Sequence, residues 1–94
     1  MPNKLQVEQP KEEKLEMDER ETLDNLIRDQ VIHALGKPDD LRKVQVKKLW
    51  DNRFRVNVLV GVNAAAVSIA HSYFLVIDSD GILLTSTPKI TKQY

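Results

Sequence analysis

Cysteine is absent from this 94-residue chain, glycine occurs three times, and aromatic residues make up 5% of it. Without thiols there is no disulfide framework, no zinc ribbon and no cysteine nucleophile, a composition that suits a reducing compartment. Three scattered glycines cannot form a glycine-rich phosphate loop. No apolar run is long enough to span a membrane, and the Met-Pro-Asn-Lys start leads into charged residues instead of an apolar signal-peptide core. The chain is therefore expected to be soluble and cytoplasmic, with no membrane partner. Charge, too, is missing from one long stretch. Between Val56 and Pro88 the only charged side chains are Asp78 and Asp80.

What fills that stretch is β-branched and aromatic on both alternation phases, as in a sheet covered on both faces. A domain of this size with one helix covers only one of them, so self-association is expected. Fourteen basic and fourteen acidic residues cancel over the whole chain, and the bulk balance favours no strongly electrostatic partner. Locally the balance is uneven. Residues 1–30 carry five basic and nine acidic side chains, 31–62 carry seven and three, and 63–94 carry two and two. Either an acidic helix and a basic hairpin share solvent and neutralise each other at long range, or a basic surface is kept for a partner.

Residues 1–16 read as a flexible N-terminal arm, dispensable for the fold, with Leu15 and Met17 able to dock on a neighbouring subunit. Residues 17–94 read as a single α+β domain. Asp18 and Glu21 form an acidic variant of the capping box. Leu23, Leu26, Ile27, Val31, Ala34 and Leu35 then recur at the spacing of an amphipathic helix, which Gly36 and Pro38 end. Ile32 lies roughly opposite the stripe and hints at a second contact.

Val44 and Val46 alternate with Lys43, Gln45 and Lys47, a half-exposed strand. Asp51-Asn52-Arg53 turns it into a second strand, Phe54–Val62, whose valine face (Val56, Val58, Val60, Val62) meets the helix. Ala64–His71 reads either as a short capped helix or, preferably, as the start of one strand running to Ile77. Asp78-Ser79-Asp80-Gly81 is a hairpin turn and not the opening of a calcium loop, since no glutamate closes a twelve-residue loop. Ile82–Thr87 is the last strand, and the tail Lys89–Tyr94 is uncharged enough to pack. The expected architecture is one amphipathic helix on a four-stranded antiparallel meander.

No catalytic constellation is evident. His71 and Ser72 point to opposite faces of a strand, His33 stands apart, and neither a metal set nor a triad assembles. The chain is thus expected to be non-enzymatic, without cofactor or metal. The first functional reading is an interaction module that self-associates as a homodimer or higher oligomer through Leu59, Phe74, Val76 and Leu83, with a further protein partner possible. A second reading rests on the cations and rings interleaved at Lys47, Lys48, Trp50, Arg53 and Arg55, the composition of a single-stranded nucleic-acid platform. A third is a small-molecule-binding sheet beside His71 and Tyr73.

Overall fold

A computed structural model describes the backbone of residues 2–94 and the side chains of residues 19–94. Helix α1 (Pro2–Leu35) is followed by strands β1 (Leu41–Trp50), β2 (Arg53–Val60), β3 (Ser68–Ile77) and β4 (Leu83–Thr87). The strands form one antiparallel sheet in the order β1-β2-β3-β4, and the helix packs on it. This is the α+β meander expected from the sequence. The expected Asp18 cap and the arm over residues 1–16, with Leu15 and Met17, fall outside the residues whose side chains are described. No helix is long and apolar enough to cross a membrane among the described residues.

The helix meets the sheet along a stripe set by its period. Ile27, Val31 and Leu35 stand at successive i, i+4 positions and are buried against Val44, Phe54, Val56, Val58, Tyr73, Leu75 and Ile77. Ile32 also packs, partly buried, against this core, so it does not mark a second contact. Two polar side chains flanking the stripe tie the helix to opposite ends of the sheet. Arg28 Nε donates to the Val44 carbonyl of edge strand β1 at 2.8 Å. Gln30 spans the other side: its Nε2 donates to Gly81 O at 2.7 Å and its Oε1 accepts from Leu83 N at 2.9 Å. Gln30→Ala would leave a part-buried carbonyl and amide without this partner, at a cost of about 1–3 kcal/mol. A thermal melt should show a drop of several degrees. An unchanged midpoint would mean that water replaces the amide at no cost.

The turns follow from short polar side chains. Asp51 adopts φ 46° between β1 and β2. Asn52 secures that turn to the end of β3, donating to Ile77 O at 2.6 Å while its own carbonyl accepts from Ile77 N at 3.0 Å. In the β3–β4 turn, one Asp78 carboxylate oxygen accepts from the amides of Asp80 and Ile82, both at 2.9 Å. That carboxylate organises the turn, as the sequence suggests.

Two boundaries, the end of β2 and the start of β3, differ from expectation. Residues 61–67 form a loop, neither strand nor helix, because Asn63 folds back on the chain: its Oδ1 accepts from Ala65 N at 2.9 Å and its carbonyl from Ala66 N at 3.1 Å. The valine face accordingly ends early, with Val58 buried, Val60 half-buried and Val62 83% exposed. The tail closes the far end of the helix. Gln93 N and Tyr94 N both donate to Leu35 O, at 2.8 and 3.2 Å, satisfying a carbonyl that a helix terminus leaves unpaired.

Candidate contact surface on the open sheet face

Strand alternation puts the apolar residues of β2 and β3 under the helix and sends their neighbours to the opposite, uncovered face. Cross-strand register then defines rows on that face. Trp50 pairs with Arg53, and Arg53 with Val76 and its partner Thr85. The next row holds Lys47, Arg55, Phe74 and Thr87. Gln45, Asn57 and Ser72 form a third, and Lys43, Leu59 and Ile69 a fourth.

The first two rows interlock. The Trp50 ring reaches across β2 to within 5.9 Å of the Phe74 centroid, tilted at 46°. The Arg53 guanidinium stands 5.9 Å from the same indole, a cation–π distance. Trp50 is nevertheless 54% exposed. The third row is a hydrogen-bonded polar ladder: Asn57 Nδ2 donates to Gln45 Oε1 at 3.1 Å, Ser72 Oγ donates to Asn57 Oδ1 at 2.7 Å, and Arg55 approaches Ser72 Oγ at 3.4 Å. The charged residues of the four strands are Arg42, Lys43, Lys47, Lys48, Arg53 and Arg55, and none is acidic.

Two residues grouped with this face in the sequence lie elsewhere. Lys48 pairs with Phe54, whose ring is buried under the helix, whereas Lys47 pairs with Arg55, although both lysines border a groove of about 500 Å³ that Arg20, Leu23, Asp24 and Val46 also line. Lys48 therefore stands on the helix side, apart from Lys47, Arg53 and Arg55. Leu83 is displaced by a register shift between Val76 and Ile77, which pairs it with Ile77 and packs it against the core. Leu59, Phe74 and Val76 do share the open face. Lys43, Gln45, Asn57, Ile69 and Ser72 join them there, and these the sequence reading did not single out as a site.

The third candidate region is filled by its own rings. His71 stacks on Tyr73 at 6.2 Å and 3°, meets Tyr94 edge-on at 5.7 Å, and shares a 2.9 Å hydrogen bond between its Nε2 and the Tyr94 hydroxyl. Tyr73 is buried, and burial, with a contribution from the Tyr94 phenol, pushes its hydroxyl above the usual tyrosine range. Tyr94 thus stands directly beside His71. His33 lies exposed in the last turn of α1. Among the described residues no group of three or more His, Asp or Glu side chains is arranged to hold a metal ion. No protein-family model matches the chain, and no match is found among curated proteins or solved structures.

Proposed function

We propose that this chain is a small non-enzymatic interaction module whose contact surface is the open face of the sheet. One observation carries the reading: Trp50, 54% exposed, lies beside half-buried Phe74 and Val76, and Ile69, 58% exposed, beside half-buried Leu59 across the polar row, on a face that no described element covers. Exposed apolar groups clustered in this way mark contact surfaces more often than scattered ones do. A photo-crosslinking residue at position 74, compared with one at exposed Asp29 on the helix, tests it in a cell extract. Adducts are expected from position 74. Adducts from position 29 alone would overturn the reading.

Self-association is the second form of this proposal, favoured by edge strands β1 and β4, each of which has only one neighbour in the sheet. Light scattering across micromolar concentrations should then show a mass above that of one chain. A single-chain mass at every concentration would eliminate this form.

A further inference from the structure

We infer that the open face is a platform for single-stranded nucleic acid, with Trp50 and Phe74 as its stacking surface and Lys43, Lys47, Arg53 and Arg55 as its phosphate contacts. The inference rests on the open face being the contact surface and names the partner.

Charge argues first. Register places those four cations on the face and no carboxylate among them. A second copy stacked face to face would set cation against cation across a contact that excludes water, whereas an anionic chain relieves the repulsion. Formal neutrality of the whole protein does not oppose this. The surplus acid lies within residues 1–30, the basic surplus within 31–62, and salt screens charges beyond about 10 Å.

Shape and chemistry then choose among anions. An acidic polypeptide needs the cations but has no use for exposed ring faces, whereas every base has a π-face that stacks on an aromatic ring. A ring exposed on the face of a sheet stacks on a base whose own π-face is free, and a duplex keeps its bases stacked on one another, so the fit is to unpaired bases. The polar ladder of Gln45, Asn57 and Ser72 lies a two-residue step beyond the Lys47–Arg55–Phe74 row, about 7 Å along the strands. That leaves room for a neighbouring nucleotide whose base edge meets amide and hydroxyl groups able to donate and accept. Arg53 and Arg55 flank the rings on β2, within reach of the backbone of a base stacked there.

The chain contains one tryptophan, so its emission reports Trp50 alone. Full-length protein is titrated with unstructured oligo-thymidine, with a duplex of equal length and with poly-glutamate. Oligo-thymidine is expected to quench Trp50 and to bind more tightly than either control. Four phosphate contacts correspond to a logarithmic salt slope of about −3, or roughly fifty-fold weaker binding at about 200 mM than at about 50 mM salt. Phe74→Ala should weaken binding roughly 5- to 150-fold, the range for one stacked base. Lys47→Ala should weaken it further with salt-dependent losses, whereas Lys48→Ala, on the helix side, should leave it unchanged. Circular dichroism of each variant confirms that the fold persists.

Absence of quenching at low salt, equal binding of poly-glutamate, or equal losses from Lys47→Ala and Lys48→Ala would each overturn the inference. If oligo-thymidine fails while position 74 still crosslinks, only the nucleic-acid assignment falls. If both fail, the contact surface falls with it.

Discussion

Phe54→Ala is expected to remove about 3–5 kcal/mol of stability, the range for truncating a large buried side chain, and to leave the protein largely unfolded near its present melting temperature. Phe54 is 2% exposed and stands on β2, the second strand of the sheet, next to Val56 and Val58 in the layer that receives Ile27, Val31 and Leu35 from the helix. Few residues share that work. Among the described residues the buried hydrophobic core comprises three from the helix and seven from the strands, and a domain of this size holds only about 5–15 kcal/mol in total. Losing a phenyl ring therefore spends a large share of the margin. Phe54→Leu, which keeps most of the volume, should cost roughly 1–2 kcal/mol. Leu49→Ala, at a position already 40% exposed, should cost less still. Denaturant melts of the three variants check the order. A loss below about 1.5 kcal/mol for Phe54→Ala would mean that the helix settles into the space and that the core is less rigid than its burial indicates.

Gly36→Ala is expected to cost about 2–5 kcal/mol by a different route. Gly36 holds φ +90°, and a Cβ there would run into the backbone carbonyl of Tyr94. The left-handed backbone alone costs an L-residue roughly 1–2 kcal/mol. The remainder comes from displacing the tail, which breaks the two hydrogen bonds that the Gln93 and Tyr94 amides donate to Leu35 O and the contact between the Tyr94 hydroxyl and His71. The two parts separate in a double-mutant cycle. Deleting residues 91–94 removes the steric conflict, so Gly36→Ala should cost only the backbone share in that background. Amide exchange at Gln93 gives an independent reading and should accelerate in Gly36→Ala. If the substitution costs the same with and without the tail, the tail does not bear on Gly36.

The oligonucleotide and crosslinking experiments differ from these in touching no buried residue. Trp50 is exposed and Phe74 half-buried on the face away from the helix, so a binding defect there can be separated from unfolding.

Chain order, the helix stripe and the hairpin at Asp51-Asn52 were legible in the residues because each is a local matter. A 3.6-residue period, a two-residue period and a turn-forming pair are set by neighbours within a few positions. From that turn the pair Trp50 with Arg53 can be counted outward, but the shift between Lys48 and Trp50 already pairs Gln45 with Asn57 where a regular ladder would pair it with Val58. Counting fails where the backbone slips. A register shift between Val58 and Leu59 carries the pairing past Ala70, so that Ile69, in phase with His71 and Tyr73 by alternation, moves onto the open face, and another beside Val76 turns Leu83 inward. A residue added on one side of a ladder leaves no mark in hydrophobic periodicity, yet it exchanges the faces of everything beyond it. Gly61 and Asn63 suggest a turn, but its extent through residue 67 was hidden for a related reason, since an alternating apolar pattern continues through residues that a side-chain hydrogen bond has taken out of the strand.

The same division holds for the surface. Sequence alone determined that a small α+β meander would leave one sheet face uncovered and that cations and rings would gather near its first hairpin. Tertiary structure alone decided which of them share that face: Lys47, Arg53 and Arg55 stand with Trp50 and Phe74, while Lys48 looks toward the helix and Leu83 joins the core. Residues distant in the chain are brought side by side only by the pairing of strands, and that pairing depends on bulges and loops whose energies local sequence does not express.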